Sequence, residues 1–487
     1  MPYAHPGRQN DGASESGGLS VVDTLAGRDV ADLPLAPKNP LPYLQRLRAV
    51  RSFHTGPEKL RDAGGPVTRF SIGPRWLTPT IVLATSPGAI RDVLGVKDGS
   101  ADKTTLVFDE VRRILGANLA NLPHQEWIPR RRTIQPVFTK QRVREFGGHV
   151  AAAAEALADS WADGADIDLD VEARTLTLRA LGQSVLGIDL AERADDVAEP
   201  LRIAMQYAMR RATSPVRAPR WLPTPARSRA RAASAKVHRL ALDILDACRS
   251  DPTREAPLVQ ALIAARDPET GRMLTDEEIA DELIVFMFAG YDTTATTLAY
   301  ALWALGRHPE VQDRVTAEVD AIPAGRLTPD DIPRLDYTVQ VLREALRLCP
   351  PAATGTRRAE RDLQVGGYRV KAGTMMVVGR MAVQRDPQLW DDPLTFDPDR
   401  FSPERFKELD RWQYLPFGGG PRSCIGDHFA MLEASLALAT IMRRVEVTSA
   451  EPTFPLAVHF TMVAGGPVPA RVRRRIATPA SDGEASA

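Results

Sequence analysis

Leu415-Pro416-Phe417-Gly418-Gly419-Gly420-Pro421-Arg422-Ser423-Cys424-Ile425-Gly426 is a glycine-rich turn holding one cysteine, and it runs directly into a helix-forming stretch from Asp427 to Ala439. Glycines let the backbone come close to a flat, bulky ligand. A cysteine just before a helix start meets free amide N–H groups and the positive end of the helix dipole. Both favour the thiolate, the form of sulfur that binds iron, and so predict a lowered thiol pKa. A cysteine beside glycines is otherwise an ordinary small buried residue, so the other motifs of the chain must decide between the two readings.

The clearest helix signal opens at Thr275. Thr275 and Glu278 have capping-box spacing, Asp276 and Glu277 suit the positive helix start, Gly306 can close the end, and Pro309 follows. The pattern predicts a helix of about 30 residues, roughly 45 Å long, which must cross much of a domain. Its middle is Ala289-Gly290-Tyr291-Asp292-Thr293-Thr294, and polar residues with a glycine at the centre of an apolar helix cost stability. In one reading Thr293 bonds back to a carbonyl four residues earlier and Asp292 sits on a solvated face. In the other, Gly290 opens a helix distortion where Asp292 and Thr293 hold water and pass protons.

Around these two segments the chain is largely helical. Val67–Ile72 and Thr80–Ala84 are short β-branched runs that predict a small hairpin, and from Val143 to about Ser250 helix formers dominate, interrupted at Pro215, Pro219, Pro223 and Pro225. The proline-rich entry Leu33 to Pro40 sets the domain start near Leu33, with residues 1–32 a flexible leader, 33–475 the catalytic domain and 476–487 a disordered polar tail. Lys plus Arg and Asp plus Glu both number 62. No basic excess draws the chain to nucleic acid. The three scattered cysteines, Cys248, Cys349 and Cys424, suit neither a disulfide framework nor a structural zinc site and point to the cytoplasm. The longest apolar run, Leu283 to Gly290, falls far short of the roughly 20 residues a membrane span needs.

Phe417, Gly420, Arg422, Cys424 and Gly426 together match F-x-x-G-x-R-x-C-x-G, followed by Phe429-Ala430 and Glu433, and here the sequence resembles the cytochrome P450 family. The resemblance extends from about Leu33 to Arg475. It implies the mainly α P450 fold with a small β region in a single catalytic domain. It further implies haem b with Cys424 as the axial iron ligand, Phe417 shielding the sulfur and Arg422 facing a haem propionate. The A-G-x-D-T match assigns Asp292 and Thr293 to proton delivery to bound O2. Trp127 and Arg131 have the W-x-x-x-R spacing of a propionate-binding helix. Pro129 departs from that pattern, so either the helix starts late or His124 shares the role. Arg357, five residues before Asp362, matches another propionate arginine. Arg130-Arg131-Arg132 would otherwise be a solvated basic cluster. Glu344 and Arg347 of E-x-x-R, with Arg400 of Pro398-Asp399-Arg400-Phe401, are implied to be structural, and Gln384 stands where many members carry histidine.

The implied reaction inserts one oxygen atom of O2 into an apolar substrate, lipid-, terpenoid-, steroid- or polyketide-like, with Phe286, Phe288, Ala289 and Pro351–Thr354 lining the pocket. Electrons should come from NAD(P)H through a separate ferredoxin and ferredoxin reductase or another flavoprotein, since nothing after Cys424 has the length of a fused redox module and no cysteine set builds a cluster. The arginines and Trp221 between Arg210 and Arg231 form either an exposed loop or a lip touching anionic lipid. Two other readings stay open: a haem-thiolate peroxygenase or isomerase that needs no reductase, and a haem-binding sensor or carrier without turnover.

Overall fold

A computed structural model describes residues 29–475 except 53, 74–77, 146, 191–192, 215–216 and 459. The expected leader and tail lie outside these residues, apart from 29–32, where a 3-10 turn at Val30–Asp32 leads into buried Leu33. Pro215 is also outside them.

The predicted long helix is Asp276–Leu305, with both halves of the capping box formed at Thr275 and Glu278. It lies in the centre of the protein. Around it pack Leu169–Leu181, Pro225–Ser250, Asp336–Leu348 and the helix that follows the cysteine, Asp427–Arg444. The expected distortion at Gly290 is not present. The helix is regular α through Ala289–Thr294, and Gly290 packs against the side chain of Leu181.

The predicted hairpin pairs Val67–Phe70 with Ile81–Ala84 and grows into a five-stranded sheet, continuing through Met375–Gly379 and Thr354–Ala359 to Ala101–Asp102. Its last pairing matches Asp102 with Arg358. A carboxylate more than 250 residues away in sequence is thereby brought beside Arg357.

Arg347 and Glu344 are wholly buried and joined by two hydrogen bonds of 2.6 and 2.7 Å. Arg347 also donates to the carbonyls of Gln384, Pro393 and Thr395, and Arg400 approaches Glu344 at 3.5 Å. Gln384, which stands where many members carry histidine, bridges two elements. Its amide nitrogen donates to the Leu346 and Arg347 carbonyls, and its oxygen accepts from the Leu415 N–H at the entry to the cysteine loop.

The helix carrying Trp127 and Arg131 spans His124–Ile134 with Pro129 inside it, so it does not start late. The three adjacent arginines separate. Arg130 pairs with buried Glu282 and with Glu278, and Arg132 with Asp267 and Glu269, whereas Arg131 turns to the cysteine loop. They are not a solvated cluster.

Glu433, on the helix after the cysteine, is wholly buried, and neither carboxyl oxygen makes a hydrogen bond of full geometry among the described residues. Burial pushes its pKa up to about 8, with Thr294 opposing weakly, so it is protonated at neutral pH. The folded chain then holds a proton that the unfolded chain releases. Stability is therefore lost as pH rises from about 4.5 to about 8. Glu433→Gln should remove this contribution. The thermal midpoint of the variant minus that of the wild type is expected to grow across this window and level off above it, and a flat difference would show that Glu433 does not titrate there.

Candidate active site

The cysteine loop closes through the Cys424 N–H, which donates to the Phe417 carbonyl at 2.9 Å. Gly420 adopts φ +71°, and a Cβ there would run into the Leu94 carbonyl, so the position requires glycine. Cys424 is exposed as a residue, yet its thiol is closely surrounded by protein. Burial raises the thiol pKa, opposed by the Gly426 N–H, Arg131 and Lys103. The helix start thus acts in the direction the sequence suggested, yet desolvation outweighs it and the expected lowering does not occur. A metal taking this sulfur must displace its proton.

Beside the loop lies a cluster of cations. Arg422 is paired with Asp102 at 2.9 Å, donates to the Leu122 carbonyl at 2.6 Å, and lies 4.6 Å over the Trp127 ring. Asp102 also accepts the N–H groups of Lys103 and His124, and the His124 ring stacks on Trp127. Burial lowers Arg357 to about 9, with Arg422 and Arg380 repelling it and Asp102 opposing. Arg380 is lowered to about 10 by burial, and Lys103 well below its usual value by burial and by the three arginines. Arg131 donates to the Ser423 carbonyl at 3.3 Å, which sets it beside the cysteine loop.

Four cations with one carboxylate among them make a donor set suited to a ligand bearing two carboxylates, and an exposed cysteine on a glycine turn suits its metal. The residues present therefore fit haem. Lys103 and Arg357, which have no carboxylate partner among the described residues, would meet its propionates, Arg422 is already held by Asp102, and Arg380 stands against the cysteine loop. Asp102, Lys103 and Arg380 were not found from the sequence. The one available signal was a charge set among apolar or turn residues, as in Met376-Val377-Val378-Gly379-Arg380.

On the central helix Ala289 is exposed, and Phe286, Phe288, Gly290 and Thr293 are partly accessible although their neighbours are buried. Phe286 and Phe288 diverge, as residues two apart on a helix must. The former packs on Phe138 at 5.1 Å and the latter on Phe460 at 5.8 Å. The Thr293 hydroxyl donates to the Ala289 carbonyl at 2.6 Å, the back-bonded alternative. Asp292 is neither solvated nor beside that hydroxyl. It accepts from Arg174 at 2.7 Å and from the Thr461 hydroxyl, and Arg174 is shared with Asp170.

A cavity of about 360 Å³ lies between the sheet, the helix Leu106–Leu115 and Ala212–Ser214. Phe70, Ile81, Leu106, Val107, Met375 and Val377 give it an apolar wall. Neither Cys424 nor either phenylalanine lines it. It reaches Thr354 and Thr356, on the strand that carries Arg357. Glu110 accepts from Arg211 and Arg220, tying the helix Leu106–Leu115 to the segment 210–231, whose Trp221 is 81% exposed.

A fold of helices around one long central helix, with an exposed cysteine on a glycine turn and cations that suit a dicarboxylate ligand, fits a haem protein. The cytochrome P450 family model matches residues 34–472. The cyclooctat-9-en-7-ol 5-monooxygenase of Streptomyces melanosporofaciens is 34% identical over 84% of this chain and 88% of its own length. The pentalenene oxygenase of Streptomyces avermitilis is 33% identical over 80% and 85%. Among solved structures, a cytochrome P450DA haem domain superposes with a TM-score of 0.77 at 26% identity, covering 91% of this chain and 98% of that one.

The chain belongs to the cytochrome P450 family. It is a haem-dependent monooxygenase, using O2 and reducing equivalents that reach it from NAD(P)H through redox partners. Among the described residues no helix is long and apolar enough to cross a membrane.

Proposed function

We propose that this monooxygenase hydroxylates a terpenoid-like substrate at a haem b ligated by Cys424. The observation that carries the reading is the exposed Cys424 on its glycine turn beside Lys103, Arg357 and Arg380. The terpenoid class is supported by what the similar Streptomyces enzymes are named for. Bound haem, with a thiolate pushing electron density toward the iron, supplies cleavage of the O–O bond.

The protein's own residues supply the rest. Arg357 and Lys103 neutralise the propionates, with Arg422 and Trp127 as the stacked support behind them. Phe417 and Gly426 fix the sulfur through backbone groups, and Arg131 steadies the loop. Phe286, Phe288 and Ala289 are the accessible residues of the central helix that would meet an apolar substrate. Thr293 holds a proton at Oγ1, its orientation set by the bond to Ala289. Asp292 is the far end of the proton path, held by Arg174 and Thr461 until it is needed. A separate ferredoxin with its reductase, or another flavoprotein, delivers electrons near the cysteine loop. The three free cysteines suit a reducing cytoplasm.

The test is a screen of terpenoids, fatty acids and steroids for a shift of the haem absorption band, followed by product formed per NADPH consumed with a ferredoxin–reductase pair. Terpenoids that shift the band and yield product support the proposal. NADPH use that no substrate stimulates would overturn it in favour of a peroxygenase, isomerase or carrier.

Thr293→Val keeps size and helix but removes the hydroxyl. Product per NADPH should fall by about 10²-fold, the ordinary contribution of a positioned proton donor, with hydrogen peroxide rising in its place and haem still bound. Asp292→Asn should slow turnover because an amide cannot relay a proton. Wild-type coupling and rate in these two variants would reduce both residues to helix structure.

A further inference from the structure

We infer that Arg380 is an uncompensated cation of the haem site whose charge raises the potential at which the centre accepts an electron. The inference rests on the haem reading above. Arg380 follows the strand Met375–Gly379, and its Nη2 donates to the Thr354 carbonyl at 2.6 Å. Its Nη1 lies 3.4 Å from where a Cβ on Gly418 would stand, and its Nη2 lies 3.5 Å from where one on Gly355 would stand. Two glycines therefore leave the guanidinium room between the strand Thr354–Ala359 and the cysteine loop. Gly418 adjoins Phe417, whose carbonyl is bonded to the Cys424 N–H.

Among the described residues no carboxylate pairs with Arg380, and its buried Nε has no hydrogen-bond partner. Its pKa of about 10, lowered by burial and supported by Cys424, keeps it charged at neutral pH. Burying an unpaired guanidinium is costly unless an anion completes the site.

Arg422 is paired with Asp102, whereas Arg380 stands beside the cysteine loop without a carboxylate partner among the described residues. Its charge is therefore not cancelled locally when the iron is ferric, where the porphyrin, the metal and the thiolate together would be neutral. On reduction one electron enters from the redox partner, no bond in the protein is made or broken and no proton is required, so the centre becomes more negative by one charge. Arg380 meets that charge in a site of low dielectric, where the attraction is strong, and so favours the ferrous form.

Arg380→Gln should retain haem and the thiolate spectrum of the reduced carbon-monoxide complex, while the ferric/ferrous midpoint, read by spectroelectrochemical titration of the holoprotein, moves to a more negative value. Arg380→Lys should restore the wild-type midpoint. Gly355→Asp has space for its Cβ and places a carboxylate against Arg380. It should shift the midpoint in the same negative direction with the arginine in place, and it decides the matter if Arg380→Gln does not take up haem. An unchanged midpoint in Arg380→Gln, or in Gly355→Asp, overturns the inference. Failure of the wild-type protein itself to bind haem would instead overturn the reading on which it rests.

Discussion

Cys424→Ser loses the long-wavelength Soret band of the reduced, carbon-monoxide-bound protein and, with it, all turnover. A serine hydroxyl is not ionised at neutral pH and cannot push charge onto iron as sulfur does. The loop itself should survive. Its closing bond from residue 424 to the Phe417 carbonyl is made by backbone, and the glycine conformations at 418 and 420 do not depend on the side chain. The loss is therefore chemical rather than structural, and near-ultraviolet circular dichroism should be retained while the band disappears. Cys248→Ser and Cys349→Ser should keep the band. Both are buried in the main core, and burial raises the Cys248 thiol and pushes Cys349 up to about 12. A variant at 424 that retained the band would end the ligand assignment.

Arg347→Met should cost about 3–5 kcal/mol, the range for removing one partner of a buried ion pair. Glu344 and Arg347 have no exposure at all. Methionine would strand a buried carboxylate and leave the Gln384, Pro393 and Thr395 carbonyls without their donor. Arg400, at 3.5 Å from Glu344 and engaged with the Asp392 carbonyl, cannot replace a two-bond partner. Because Gln384 also anchors the entry to the cysteine loop, haem uptake should fall along with the unfolding midpoint. Lysine should not rescue, since one ammonium cannot form the paired bonds of a guanidinium. A loss below about 1 kcal/mol, the scale of an exposed pair, would show that the network does not hold this part of the fold.

Much of this site was legible in the sequence, for reasons that differ between residues. The cysteine loop could be read because its chemistry is local, with glycines, cysteine and helix start all within twelve positions of one another. The central helix was legible because a capping box and a long apolar pattern need no tertiary information. Thr293 was harder. Sequence left two readings of its hydroxyl, and the bond to Ala289 is the structural one, compatible with either role.

The sequence by itself determined the family, the glycine-rich cysteine turn, the capped central helix and the E-x-x-R pair, since each depends on residue types at short fixed spacings. Only the tertiary structure decided charge and environment. Asp102 reaches Arg422 through a strand pairing that no spacing announces, and Asp292 turns to Arg174 because neighbouring helix positions face different partners. The Cys424 thiol is raised rather than lowered because the amount of protein packed around it, which sequence does not count, outweighs the helix start. Arg380 carries no motif at all. Its place in the site follows from a sheet that lays residue 355 beside residue 378 and brings the strand's end against the cysteine loop. Burial and long-range pairing are sums over the whole fold, and so they appear only when the chain is assembled.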